Sequence, residues 1–226
     1  MKHHNAFIMA ACLALAAASP LASNAAATKA PSDTPTAAEQ PFVTRATTEL
    51  QHMYGTTAQA RAAGYFRYTN EDRTGAISWM NTKYWTSDET HPSQLWYDVK
   101  GRLIGVDYGA PWTDAKHPPA KWGILPSRWF EFEHHVHYGL KQPDGSMKYG
   151  GMEDSAVTKV GGNPAAPTAA DIVKAGKAKS ASQVAYVFPF QHVWDLEFWL
   201  IPNPKGVFAE ANPDVKPSTP VHGGGM

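Results

Sequence analysis

From Tyr65 onward the apolar residues fall in short runs that alternate with polar ones, the period-two signature of strands half-buried in a sheet. Such runs cover residues 65–68, 76–80, 94–99, 102–108, 146–149, 184–188 and 193–201. Lys100-Gly101, between the third and fourth, predicts a tight hairpin, and Pro143-Asp-Gly145 a turn. Ahead of them the spacing changes. Val43, Ala46, Leu50, Met53, Tyr54, Ala58 and Ala62 lie near one stripe, which predicts a helix over 43–63, weakened at Gly55-Thr-Thr57 and stopped by Gly64. Thr168, with Asp171 in the first turn, caps a short helix over 168–178. The pattern predicts an α+β fold: a mostly antiparallel β-sheet with an N-terminal helix and a short helix near 168–178.

One run carries more chemistry than the others. Trp129-Phe-Glu-Phe-Glu-His-His-Val-His-Tyr138 reads as a single strand and holds three of the ten histidines. On one strand Glu131, Glu133, His135 and His137 share a face, and Phe130, Phe132, His134, Val136 and Tyr138 the other. Two imidazoles at i and i+2 can ligate one metal ion, and Glu133 beside them is a candidate third ligand or catalytic acid/base. Further ligands must come from another strand, and His192, Asp195 and Glu197 near the end of the chain are the candidates. His134 is a weaker one, because its face is largely apolar. Imidazole with carboxylate suits a divalent transition metal such as Zn, Mn, Fe or Cu. The competing reading is a polar sheet face with hydrogen-bonded histidines.

Other chemistries find less support. The His-x-His pair opens the first cupin motif, but Tyr138-Gly-Leu-Lys-Gln-Pro143 lacks the Glu that motif needs. No Gly-x-Ser-x-Gly elbow is present. Asp72, Asp98, Asp107 and Asp114 sit beside turns or strand ends, where solvated or capping roles are expected. His91-Pro and His117-Pro read as loop residues.

The first 27 residues read as an export signal: basic Met1-Lys-His-His, an apolar run from Phe7 to Ala18, then small residues around Ser23-Asn-Ala-Ala-Ala27. That run falls short of the roughly 20 residues a membrane span needs, so a stable membrane anchor is not expected. Cleavage removes Cys12, the only cysteine, and leaves a periplasmic or extracellular chain without thiols. Residues 28–41 read as a disordered Pro/Ala/Thr-rich linker, 42–215 as one globular domain, and 216–226 as a disordered tail. Lys plus Arg and Asp plus Glu both number 20, so no basic surface points to nucleic acid. Eight tryptophans, nine tyrosines and nine phenylalanines predict a core of large rings, or a groove for a sugar or flat organic ligand. The Gly/Pro-rich stretch 109–126 is long enough to cover or build a site.

Three segments carry a resemblance: Gln59-Ala-Arg-Ala-Ala-Gly-Tyr65; His91-Pro-Ser-Gln-Leu-Trp-Tyr-Asp98 leading into Gly101-Arg-Leu-Ile-Gly-Val-Asp-Tyr108; and the ending from Asp195 through Pro202-Asn-Pro-Lys-Gly-Val-Phe-Ala-Glu-Ala-Asn-Pro-Asp214. Over residues 59–214 the chain resembles a family of uncharacterised secreted bacterial proteins, a domain of unknown function that closes on a Trp…Asn-Pro-x-Gly-x-Phe-Ala-x-x-Asn-Pro motif. The resemblance implies export and one compact domain, and brings no activity. Where other members carry a His before Val-Trp this chain has Glu197, and where one is expected before Trp79 it has Ser78. If those histidines are ligands in the family, a site here must use groups such as His134, His135, His137 and Glu197. In the closing motif, Pro202–Gly206 reads as a turn and Phe208 as packing back on the sheet.

The function expected from these features is an exported soluble protein that binds a metal ion or small molecule at a His/Glu-rich sheet face. The rival readings are a metal-dependent periplasmic enzyme using Glu133, and a structural or envelope-stress protein that binds another protein.

Overall fold

The structure, a computed structural model, describes residues 32–114 and 117–218. The expected signal segment, the first residues of the linker and residues 219–226 lie outside the described part. The chain runs α1 (Gln40–Tyr54), α2 (Thr57–Ala62), β1 (Phe66–Arg67), β2 (Ile77–Met80), β3 (Gln94–Tyr97), β4 (Leu103–Pro111), β5 (Phe130–Phe132), β6 (His135–Lys141), β7 (Met147–Glu153), α3 (Asp154–Lys159), α4 (Ala169–Lys174), β8 (Val184–Phe190) and β9 (Val193–Trp199). It is an α+β fold, mostly antiparallel sheet, as the patterning predicts.

The strands form two antiparallel sheets. A six-stranded sheet has the order β1-β2-β3-β4-β9-β5 and a three-stranded sheet the order β7-β6-β8. One face of the large sheet buries Trp79, Leu95, Tyr97, Val106, Tyr108, Trp194, Leu196 and Phe198 under Phe42, Val43, Ala46 and Leu50 of α1. Each fully buried aliphatic side chain there contributes roughly 1.5–3 kcal/mol. The small sheet turns Val136, Leu140 and Met152 outward against Val157 of α3 and Ile172 of α4. Its other face meets the large sheet through Phe188 and Phe190, packed on Tyr68, Met80 and Val193. The two sheets thus lie face to face, with helices on both outer faces.

Local signals explain most boundaries. The predicted helix over 43–63 is two helices, because Thr56 and Gln59 form a reciprocal capping box that starts α2. Gly64 follows with φ +90°. Thr168 and Asp171 cap α4 in the same way. The turn between β3 and β4 is held by the Asp98 carboxylate, which accepts from the backbone N–H of Lys100 and Arg102. At the closing motif Phe208 packs on Phe198, 5.9 Å between ring centroids, and Asn212 Nδ2 donates to the Pro202 carbonyl.

Two expectations change. The end of the predicted linker belongs to the domain: the Asp33 carbonyl accepts from Phe208 N–H, and Glu39 is fully buried beneath Arg128. The predicted histidine strand is two strands in different sheets. β5 pairs with β9 at the edge of the large sheet, whereas β6 lies between β7 and β8. Glu133-His134 is the crossing, held where His134 Nδ1 meets the Asp154 carboxylate at 2.7 Å. The period-two alternation therefore does not carry across Glu133.

Candidate metal centre between the two sheets

The face of the large sheet turned toward the small one is unusually polar. Strand register sets Gln94 opposite Asp107, Asp107 opposite Glu197, and Asp195 opposite Gly109, one step along β9. Period two places Asp107, Asp195 and Glu197 on this same face. One carboxylate oxygen from each of the three lies within 4.8 Å of the other two. Asp107 and Asp195 are buried and Glu197 is half-buried. Both oxygens of Asp195 and Oδ1 of Asp107 are shielded from solvent and have no hydrogen-bond partner.

Three carboxyls so placed cannot all ionise without a counter-charge. Burial raises Asp107 well above the usual carboxylate range, and Asp195 and Glu197 raise it further, with the Trp96 side chain pulling back. Burial and then Glu197 raise Asp195 in the same direction. Glu197 is pushed up to about 7, by burial first and then by Asp72 and Glu210. Of those two acids, Glu210 is paired with Arg73 and Asp72 holds its own turn.

The histidines gather at a neighbouring point of the same inter-sheet space. His135 and His137 of β6 bring their Nε2 atoms to 2.9 Å, and His135 Nδ1 lies 2.8 Å from the Glu133 carbonyl. Phe190 stacks on His135 and Phe188 on His137. Burial, then His135, lowers His137 to about 3, while the Gly150 backbone opposes. Burial likewise lowers His135. Tyr68 links the two groups. Its ring meets His137, its hydroxyl donates to the Gln94 side-chain carbonyl, and burial, Asp107 and Asp195 raise its pKa.

The expected ligand set is therefore divided. His135 and His137 do share a face, as period two requires. Glu133 stands exposed in the crossing and offers His135 its carbonyl, so it does not line up with the pair. His134 binds Asp154 on α3. His192 binds Glu131 at 2.8 Å and stacks on Trp112, 4.5 Å between ring centroids. That places it in an open cleft of about 260 Å³ with Trp85, Thr86, Pro111, Gln191 and Val193, into which the long 109–126 stretch sends Trp112. Asp195 and Glu197 join Asp107 instead of the histidines. Asp107 is the residue the sequence reading missed: far from capping a strand end, it sits inside β4 with 3% exposure. Its signal was an acid in the otherwise apolar run Leu103-Ile-Gly-Val-Asp-Tyr108. Asp72 and Asp98 do hold turns, as expected. His91 and His117 pair with Asp88 and Asp114 at the surface.

Among the described residues no helix is long and apolar enough to cross a membrane. The chain matches no family model, no curated protein and no solved structure.

Proposed function

We propose that this is an exported divalent-cation-binding domain, in which Asp107, Asp195 and Glu197 hold the ion between the sheets. The observation that carries the reading is Asp195, whose two carboxylate oxygens are both buried and unpartnered among two further carboxyls. A divalent cation removes the repulsion and satisfies the orphaned oxygens at once. An oxygen-only donor set suits a hard ion, Ca²⁺, Mg²⁺ or Mn²⁺, better than Zn²⁺ or Cu²⁺. Two short carboxylates from adjacent strands and one longer one leave coordination positions for water. Export rests on the leader-like sequence over residues 1–27.

The test is calorimetry and thermal unfolding of untagged, chelator-treated protein with each of the three ions. A ligand present at about 100 times its Kd stabilises by about 2.7 kcal/mol, which raises Tm by about 5–10 °C for a chain of this size. Asp195→Asn keeps the shape, relieves the repulsion and should abolish that rise while the metal-free form melts higher than wild type. An infrared band of protonated carboxyls at pH 7 that none of the ions removes, with no rise in Tm, overturns the reading in favour of a proton-sharing trio.

A further inference from the structure

We propose that the open cleft at Trp85 and Trp112 binds one ring of a neutral sugar chain, stacked on its tryptophans. This goes beyond the carboxylate site and does not depend on it.

The cleft is built by three segments that are distant in sequence. Pro111 pairs with Val193 at the last step of the β4–β9 ladder, so Trp112 leaves β4 beside His192, which leads into β9. Trp85 arrives from the connection between β2 and β3. Gly109 of β4 lets it come close: its N–H donates to Ser87 Oγ at 2.9 Å and its carbonyl accepts from Ser87 N–H at 3.0 Å. A Cβ on Gly109 would stand 2.5 Å from the Trp85 carbonyl oxygen. Two half-buried indoles are thereby set at one cleft of about 260 Å³. Each is fixed by another ring. Trp85 meets Phe190 edge-on at 4.7 Å, and Trp112 stacks on His192 at 4.5 Å and packs on Trp194 at 4.6 Å. Aromatic surface held in this way loses little freedom when a ligand covers it.

The polar groups are placed with equal care. His192 and Glu131 are 37% and 38% exposed, and a pair so exposed contributes only about 0–1 kcal/mol to stability. What their contact does fix is a proton. A carboxylate accepts, so the 2.8 Å contact puts the proton on His192 Nε2 and leaves a lone pair on Nδ1 of the neutral ring. The stack on Trp112 holds that ring in plane. Among the described residues, His192 Nδ1, the Gln191 amide and the Thr86 hydroxyl make no hydrogen bond, and all three residues line the cleft. An acceptor, an amide that both donates and accepts, and a hydroxyl therefore accompany the two indoles.

That combination selects the ligand. A pyranose has apolar C–H faces and a rim of hydroxyls, each both donor and acceptor, so it answers the rings and the polar groups together. No Lys or Arg lines the cleft, so an anionic ligand would find no counter-charge there. Its volume falls just under the roughly 300–1,000 Å³ of pockets that enclose drug-sized ligands, which suits a single ring, and its open side lets a chain continue. The site binds and does not cleave. Glycosidases set two carboxyl groups across the bond, whereas this lining has none and Glu131 is engaged by His192.

The test titrates untagged protein by calorimetry with cellohexaose, xylohexaose and chitohexaose, neutral chains whose rings present flat apolar faces. At least one should bind saturably, with a Kd at or below about 1 mM. His192→Phe keeps a ring stacked on Trp112 but removes Nδ1, and it should weaken that sugar about tenfold with an unchanged Tm. Gln191→Leu should weaken it less, and Trp112→Ala should abolish binding. Asp195→Asn and chelator treatment should leave the affinity unchanged, so this site and the carboxylate centre stand or fall separately. Equal affinity in the His192→Phe protein, or no saturable binding of any of the three sugars, overturns the proposal. Trp112-dependent binding of 2-naphthol without any sugar would assign the cleft to a flat organic ligand instead. Sugar binding lost in Asp195→Asn but kept in Trp112→Ala would place it elsewhere and overturn the proposal as well.

Discussion

The imidazole of His137 meets the ring of Tyr68 edge-on, with centroids 4.7 Å apart and planes at 87°. Through this contact the small sheet touches the polar face of the large one, because the Tyr68 hydroxyl is bonded to Gln94 and Gln94 faces Asp107. The two sheets are therefore joined by a continuous polar path as well as by phenylalanines. Neutral His137 is compatible with this packing. A charged imidazolium against Phe188, Phe190 and Tyr68 would lose its hydration for little return, and its lowered pKa follows from that.

In chelator-treated protein, stability should fall as pH rises above about 6.5. Glu197 is raised from 4.5 to about 7, and Asp107 and Asp195 are raised also. Folded protein thus holds protons that the unfolded chain releases, and the stability they give is lost as pH climbs through the folded pKa. Each proton contributes a slope of at most about 1.4 kcal/mol per pH unit. His137 acts oppositely: lowered to about 3, it costs stability on acidification from about 6.5 and contributes no slope above that. Urea midpoints measured from pH 6.5 to 8.5 should decline, and a flat or rising line would mean that the carboxyls are not under strain.

Arg128 and Glu39 form a buried pair whose loss should be among the costliest single changes. Glu39 is fully buried and accepts from Arg128 Nε at 3.1 Å and from Leu125 N–H at 3.2 Å, and Arg128 stacks over Phe208, 4.1 Å from its ring centre. Burial alone would raise Glu39, but Arg128 and the backbone N–H groups outweigh it and hold it low. Arg128→Met strands the carboxylate and should cost about 3–5 kcal/mol. Arg128→Lys should recover only part of that, since an ammonium lacks the planar fork. Denaturation of both variants checks the order, and equal losses would argue against the bidentate geometry.

Trp199 should matter more to stability than His135. Its indole N–H donates to the Ala209 carbonyl at 2.7 Å, and its ring meets Trp96 at 5.5 Å above Gly105. Trp199→Ala should cost about 3–5 kcal/mol. A Cβ on Gly105 would stand 2.1 Å from Trp96, so Gly105→Ala must displace the indole and should cost about 1–3 kcal/mol. His135→Ala, in metal-free protein, should cost less than Trp199→Ala. A larger loss from the histidine would mean that the pair holds the sheets together without any ion.

The proposed export predicts a mature form that begins within residues 23–28 and contains no thiol, since Cys12 is the only cysteine. Intact mass of protein from the periplasm or medium decides this. Retention or lipidation of Cys12 would remove the case for a soluble exported chain.

The local elements were legible in the sequence because their causes are local. Alternation, the Lys100-Gly101 turn and the Thr168 cap each act within a few residues, and each reappears in the fold. Even the break between α1 and α2 was written there, as Thr56-x-x-Gln59, although the apolar stripe running past it suggested one helix. The pairing of His135 with His137 follows from period two on one strand. What the strand period cannot carry is the identity of the neighbour. Asp107 and Glu197 lie 90 positions apart in the chain and meet only because β9 inserts beside β4. Glu133 left the histidines because β5 and β6 joined different sheets, a choice made by the packing of Phe132, Phe188 and Phe190 between them. Side-chain direction is a property of the local backbone, so the sequence determined it. Which directions converge depends on long-range burial, and only the tertiary structure decided that.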